Sequence, residues 1–129
     1  MSTHFELCSD FMRAFGQEVY SHPSIRDNET QELRYELIRE EVEELREGLD
    51  KDDLVEVADA LTDILYVVYG AGHAFGIDLD ACFHEVHRSN MSKLAEDGTV
   101  IKRADGKVLK GPNYSPPDLV PIILEPRKW

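Results

Sequence analysis

The sequence predicts an all-α fold, a bundle of about four helices followed by a small β-hairpin and an extended C-terminal tail. Three features support this prediction. Apolar residues recur at helical spacing over residues 1–94, proline and glycine separate the periodic segments, and residues 95–129 are proline-rich. A chain of 129 residues with 42% hydrophobic content can form one modest core, so we expect one domain whose helical core is 1–94.

The first, second and fourth predicted helices span about residues 4–20, 28–49 and 78–94, and the third lies between the second and the fourth. Pro23 ends the first segment, and Asn28 with Gln31 three residues later resembles a capping box that opens the second helix. Asp52 or Asp53 can cap the third helix, which continues to a glycine-rich stretch.

The segment after the fourth helix predicts the hairpin and the tail. In "TVIKRADGKVLKG", short β-prone runs flank Ala104, Asp105 and Gly106, a sequence typical of a tight turn. The residues that follow are proline-rich, so we expect them to be extended over the body of the protein or over a partner subunit.

Charge and composition exclude several classes of protein. The net charge is −12, from 26 acidic and 14 basic residues, which argues against binding to a nucleic-acid backbone. We find neither a basic leader nor an apolar segment long enough to span a membrane. Cys8 and Cys82 are interpreted as core thiols of a protein in a reducing compartment. We therefore expect a cytoplasmic protein. Residues 88–110 carry a local excess of bases, which is either a solvated segment or a surface that faces a small anion.

The second helix divides its glutamates into two classes. On a helical wheel, Glu41 and Glu44 lie inside the apolar arc and Glu40 lies at its border. Glu43 and Glu47 lie on the opposite side, where a solvated face is expected. The inward glutamates therefore require a special explanation.

The third helix is apolar in nearly every direction, yet three acids share one arc of about 60°. These are Glu56, Asp59 and Asp63. Buried carboxylates that repel one another need a cation, and residues 52–87 contain no lysine or arginine, although Arg34 could pair with one acid. A hard divalent ion, Mg²⁺ or Mn²⁺, is the simplest solution, and a structural ion-pair cluster is the alternative.

The acidic residues also match a known pattern. "EEVEE" supplies E-E-x-x-E through Glu40, Glu41 and Glu44, and "EVAD" supplies E-x-x-D through Glu56 and Asp59. Residues 31–94 thereby resemble the all-α nucleoside triphosphate pyrophosphohydrolases, the superfamily of MazG, the dimeric dUTPases and phosphoribosyl-ATP pyrophosphohydrolase. The short spacing between the two motifs predicts a tight connection between the second and third helices. The resemblance implies a MazG-like bundle.

The resemblance implies an activity and a set of ligands. Such enzymes hydrolyse a nucleoside triphosphate to the monophosphate and pyrophosphate with Mg²⁺, for which Mn²⁺ can substitute. The resemblance assigns metal ligation to Glu41, Glu44, Glu56 and Asp59, and we assign Glu40 as the general base or an outer ligand. Asp63 extends the same face as a residue behind the ligands or an additional ligand, and we place it in the substrate site.

The fourth helix and the hairpin supply candidate groups for the nucleotide. Asn90 and Lys93 continue the inward stripe of the fourth helix and resemble an Asn/Lys pair that contacts the nucleotide in relatives. For Lys93, the alternative is a lysine that only covers the helix end. Lys107 and Lys110 are further candidates for phosphate contacts. Tyr66 and Tyr69 are expected to pack in the core or between subunits, and stacking on the base is the alternative.

The expected function is therefore a metal-dependent nucleotide pyrophosphohydrolase, with a purine deoxynucleotide such as dGTP or dATP as substrate. The alternatives are a phosphoribosyl-ATP pyrophosphohydrolase-like enzyme and a non-catalytic helical scaffold. A di-iron bundle would need Glu-x-x-His pairs, which the second to fourth helices lack. The segment "REEVEELREGL" also resembles the Nudix box, but this interpretation fails because Glu41 occupies a position that is aliphatic in that motif. The large apolar surface of the second and third helices predicts a homodimer, and the resemblance implies that such dimers can pair into a homotetramer.

Overall fold

The chain is helical throughout its regular structure. A computed structural model describes residues 1–124, and it contains the helices α1 (His4–Ala14), α2 (Asn28–Asp50), α3 (Leu54–Phe75), α4 (Leu79–Met91) and α5 (Val120–Ile123). The prediction of an all-α fold is confirmed, with a fifth, four-residue helix in the tail. The chain divides into two compact units, Met1–Leu79 and the part that begins at Asp80.

The first helix is shorter than predicted. Its start is fixed by a capping box, in which the Thr3 hydroxyl accepts from the Glu6 amide at 3.1 Å and the Glu6 carboxylate accepts from the Thr3 amide at 2.8 Å. It ends at Ala14 rather than near residue 20. Gly16 adopts a φ of 73°, and the Gln17 amide donates back to the Met12 carbonyl at 2.8 Å. This glycine-based ending was missed from the sequence.

The second helix starts at Asn28, as predicted, but its capping residue lies one position earlier than the predicted one. Asp27, and not Asn28, is the cap, and its carboxylate accepts from the Thr30 amide at 2.9 Å. The Gln31 side chain instead donates to the Arg26 carbonyl at 2.9 Å. The predicted box is therefore wrong in its partners, although the helix starts where expected.

A tight antiparallel hairpin joins α2 to α3, as the short spacing of the acidic motifs predicted. Asp53 caps α3 by accepting from the Glu56 amide at 3.1 Å, so three residues separate the helices. Gly48 is buried at the closed end, where a Cβ atom would lie 3.2 Å from the Val57 nitrogen. A glycine is needed there because the two backbones approach closely.

The core of the first unit consists of small and medium side chains. Cys8, Met12, Ala60 and Ala74 are all at most 3% exposed, and the cysteines are free thiols, as predicted. Most of α3 was predicted to be buried. That prediction is not met within one chain, because several of its large apolar side chains are exposed: Leu54, Val55, Leu61 and Leu65.

The predicted β-hairpin does not form, and this part of the prediction is wrong. Within residues 1–124 there is no strand, and the segment contains a single antiparallel bridge between Lys102 and Val108. The Asp105 carboxylate accepts from the Lys107 amide at 3.1 Å and pairs with Arg103, which closes the turn. Residues 99–110 are all exposed, so no buried face stabilises a longer ladder.

The C-terminal region differs from prediction at two further points. The fourth helix ends at Met91 rather than near residue 94. The tail, predicted to be extended, contains α5, with a proline near its start. The remainder of the predicted tail, residues 125–129, lies outside the described residues. None of the helices in the described part of the chain is long and apolar enough to cross a membrane.

Candidate metal centre

Three carboxylates meet in the middle of the α2–α3 pair. Glu41 and Glu44 from α2 and Asp63 from α3 each place an oxygen so that all three atoms lie within 4.8 Å of one another. Glu41 and Asp63 are partly buried, and Glu44 is exposed. These three residues are called the acidic cluster below. They combine two of the predicted metal ligands with the aspartate that was assigned to the substrate site.

The register of the two helices produces this meeting. Gly48 packs against Val57 near the connection, and farther along the pair a Cβ on Gly70 would lie 3.0 Å from the Arg34 guanidinium. Because the helices are antiparallel, positions midway between these contacts face one another. The midway positions hold one glutamate and one aspartate of the acidic cluster.

Two carboxyls of the acidic cluster have raised pKa values. Burial raises the pKa of Glu41 to about 7, and the hydrogen bond and charge of Glu44 and the charges of Asp63 and Asp59 act in the same direction. Burial also raises the pKa of Asp63, with further contributions from Asp59 and Glu44. Like charges crowded in a partly apolar place favour the protonated acids.

In the described part of the chain, no lysine or arginine forms an ion pair with the acidic cluster. Within residues 1–124, the buried Oε2 atom of Glu41 has no hydrogen-bond partner. The predicted pairing with Arg34 does not occur, because Arg34 forms no ion pair with an acid within residues 1–124, and its Nε is also buried without a hydrogen-bond partner. Leaving a buried polar atom unsatisfied costs about 1–3 kcal/mol. Carboxylate oxygens are the donors that Mg²⁺ and Mn²⁺ prefer, so this donor set fits such an ion.

The other predicted acidic residues surround the acidic cluster without joining it. Asp59 is exposed and acts electrostatically on both Glu41 and Asp63. The Glu56 carboxylate lies 3.9 Å from the Lys51 ammonium, with about half of its side chain exposed. Glu40 is exposed on α2. The signal for Asp63 was present in the sequence, because it shares one arc of α3 with the other acids.

The predicted nucleotide-binding groups lie in the second unit. Asn90 is exposed in the last turn of α4, and Lys93 follows the end of this helix with its carbonyl accepting from the Gly111 amide at 2.9 Å. Lys107 and Lys110 are exposed. The Lys110 ammonium lies 4.8 Å from the centre of the Tyr114 ring, a cation–π contact.

Comparison with known families identifies the chain. The family model described as phosphoribosyl-ATP pyrophosphohydrolase matches residues 8–90, which include all of α2 and α3. The chain belongs to the phosphoribosyl-ATP pyrophosphohydrolase family. This confirms the resemblance to the all-α nucleoside triphosphate pyrophosphohydrolases, and membership of the phosphoribosyl-ATP pyrophosphohydrolase family supports a pyrophosphohydrolase-like function.

A viral protein is similar to this member of the phosphoribosyl-ATP pyrophosphohydrolase family. Uncharacterized protein L479 of Acanthamoeba polyphaga mimivirus is 43% identical over 101 residues, which are 75% of this chain and 38% of the viral protein. The chain therefore spans well under half of the length of that relative.

Proposed function

We propose that this protein is a divalent-metal-dependent nucleotide pyrophosphohydrolase. Its reaction adds water across the bond between the α- and β-phosphates of a nucleoside triphosphate and gives a nucleoside monophosphate and pyrophosphate. The observation that carries this proposal is the acidic cluster, whose three oxygens lie within 4.8 Å and whose Glu41 has a buried oxygen without a partner in residues 1–124. The family match supports the same class of reaction.

The metal would be held by the acidic cluster. Glu41, Glu44 and Asp63 supply the nearest oxygens, and Asp59 lies close enough to raise the pKa of two of them. Glu56, assigned as a ligand from the motif, would have to leave Lys51 to join them. A bound Mg²⁺ or Mn²⁺ would neutralise the polyphosphate and lower the pKa of a water molecule.

The protein groups have distinct roles in this proposal. Glu41 must release the proton that its raised pKa retains before it can act as a ligand. Glu40, exposed beside the acidic cluster, is proposed as the base or as an outer ligand. Asn90 and Lys93 are proposed to contact the phosphates or the sugar, with Lys107 and Lys110 as further candidates for the phosphates.

The substrate is proposed to be a purine deoxynucleotide such as dGTP or dATP. The alternative substrate is phosphoribosyl-ATP, the compound in the family's name. It contains the same triphosphate, so the acidic cluster serves either compound. A non-catalytic scaffold is the remaining alternative, and it gives no reason for a buried, unpartnered carboxylate oxygen on Glu41.

The active form is proposed to be a homodimer or a homotetramer. Leu54 and Val55 are 80% and 81% exposed at the start of α3, and Leu61 and Leu65 are also exposed farther along it. Exposed apolar side chains that recur along a helix in this way are typical of a surface that a second copy covers.

A substrate panel tests the reaction. Nucleoside triphosphates, deoxynucleoside triphosphates and phosphoribosyl-ATP are each incubated with the protein and Mg²⁺ or Mn²⁺, and the products are separated by chromatography. We expect a monophosphate and pyrophosphate in equal amounts, and no turnover when a chelator is present. Nucleoside diphosphate and orthophosphate as the only products would overturn the proposal, as would a complete lack of turnover.

A further inference from the structure

A cavity lies between α1, α2 and α3 in the first unit. It has a volume of about 440 Å³, within the range of small-molecule sites in proteins. Its walls are mainly apolar and include Phe11, Met12, Leu33, Leu37, Tyr66 and Val67. Leu33 and Phe11 are 52% and 40% exposed, so the cavity opens to solvent beside them. Its volume and its apolar and aromatic walls suit an aromatic ring.

Arg34 provides the single charge in the wall of this cavity, as far as the described residues show. Its Nε is buried and has no hydrogen-bond partner within residues 1–124. Gly70 makes room for the guanidinium, because a Cβ atom there would lie 3.0 Å from Nη1. Arg34 is partly buried, and leaving its desolvated Nε without an acceptor costs free energy, which a ligand that presents acceptors to the guanidinium would recover.

Residues of the cavity and of the acidic cluster follow one another along the α2–α3 pair. On α2, Arg34, Leu37 and Glu41 share one face, and Arg34 precedes Glu41 by about two helical turns, or about 10 Å of rise. On α3, Gly70 and Asp63 are likewise two turns apart on the facing side. One nucleoside triphosphate can span this separation, with its phosphates at the acidic cluster and its base in the cavity.

We propose that this cavity binds the base of the substrate and that Arg34 selects guanine. Guanine presents two neighbouring acceptors, O6 and N7, which match the fork of a guanidinium. Adenine presents a donor, N6, beside N7, so one arginine N–H would face another donor. A phosphate group suits the site less well, because the apolar walls would desolvate its charge. This inference rests on the proposed function for the placement of the phosphates.

Binding of nucleosides tests the cavity separately from hydrolysis. Deoxyguanosine, deoxyinosine and deoxyadenosine carry no phosphate, so their binding to the full chain is measured by calorimetry with a chelator present. Deoxyinosine has the same O6 and N7 as deoxyguanosine. We expect both to bind roughly tenfold to a hundredfold more tightly than deoxyadenosine. Equal binding of the three, or no binding of any, would overturn the inference, as would undiminished binding of 7-deaza-deoxyguanosine.

Substitutions at Arg34 locate the effect. Arg34→Met should abolish the preference for deoxyguanosine, and Arg34→Lys should lose most of it, because lysine keeps the charge without the fork. Arg46→Met is the matched control, since Arg46 is an exposed arginine of α2 bonded to Asp50. If Arg34→Met unfolds, Gly70→Ala provides the second variant, because its methyl group would crowd Nη1 at 3.0 Å and force the guanidinium to shift. A preference that survives in both Arg34 variants contradicts the proposal.

The outcomes separate this inference from the proposed function. Selective nucleoside binding without any triphosphate hydrolysis would retain the base site and reject the enzyme. Hydrolysis with the same kcat/KM for dGTP and dATP would retain the enzyme and reject the base site. Tighter binding of inorganic phosphate than of deoxyguanosine, lost in Arg34→Met, would assign the cavity to a phosphate group and overturn the inference.

Discussion

Glu41 of α2 and Asp63 of α3 face one another across the helix pair, with carboxylate oxygens within 4.8 Å and a raised pKa on both side chains. Two acids held this close by helix packing repel each other unless protons or a cation neutralise them. We therefore expect the stability of the first unit to depend on pH and, under the proposed function, on divalent ions.

Replacement of Glu44 and of its neighbour Glu43 should have opposite effects. Glu44→Gln removes an oxygen of the acidic cluster, so turnover should fall by roughly a hundredfold or more. The melting temperature of the Glu44→Gln variant without metal should be unchanged or higher than that of the wild type, because one repelling charge is lost. Glu43→Gln lies outside the cluster and should retain activity. Measurement of kcat and melting temperature for both variants tests this prediction. Equal losses of kcat in both would mean that the inward face of α2 has been misassigned.

The pH dependence of stability should reveal Glu41. The pKa of Glu41 is about 7 in the folded chain, above its ordinary value of 4.5, so the folded state holds a proton that the unfolded state has released between these values. The contribution of Glu41 to metal-free stability is therefore full below about pH 4.5 and is lost as the pH rises towards 7. Melting curves in a chelator should show this decline.

Glu41→Gln is the control for the pH experiment. An amide does not titrate, so the decline between pH 4.5 and 7 should become shallower in this variant. The same slope in the wild type and in Glu41→Gln would assign the effect to other groups.

Divalent ions should stabilise the protein in proportion to their binding. An ion at 100 times its dissociation constant adds about 2.7 kcal/mol to the free energy of unfolding, which raises the melting temperature by several degrees. The effect should grow from pH 5 to pH 7.5, because the ligands must lose protons, and should disappear in Glu41→Gln. Calorimetric scans with Mg²⁺ and Mn²⁺ provide the measurement. A scaffold without a metal site should show no shift in any of these conditions.

Two glycines at helix ends should tolerate alanine differently. Gly16 and Gly76 have φ values of 73° and 70°, so alanine is strained at both positions, at a cost of about 1 kcal/mol or more. Around Gly16 nothing lies within 4 Å of an added Cβ atom, whereas at Gly76 the His22 carbonyl oxygen would lie at 2.2 Å. Denaturant unfolding should therefore show a much larger loss of stability in Gly76→Ala, and equal losses would contradict the close contact.

Assembly should depend on the exposed apolar side chains of α3. Light scattering at micromolar concentration should give at least twice the chain mass of 14.7 kDa. Leu61→Glu should shift the protein towards the monomer, because a charge would be buried in the interface. A wild-type protein that is already a monomer under these conditions would reject the proposed oligomer.

The sequence by itself determined the helices and most of the acidic residues of interest. Apolar periodicity gave α2 within one residue at its C-terminal end, and the same wheel placed Glu41 and Glu44 in the apolar arc, where Glu41 is partly buried but Glu44 is exposed. These properties are local, because a helix fixes the directions of its own side chains. The end of α1 at Gly16 was also a local signal, and it was overlooked.

The tertiary structure alone decided which acids meet. A wheel gives the direction of each side chain, but it does not give the axial position of one helix against another. The contacts at Gly48 and Gly70 fix that position, and they bring Asp63 rather than Glu56 to Glu41. The cavity beside Arg34 arises from the packing of α1, α2 and α3. The predicted β-hairpin did not form because no buried surface covers its two short β-prone segments.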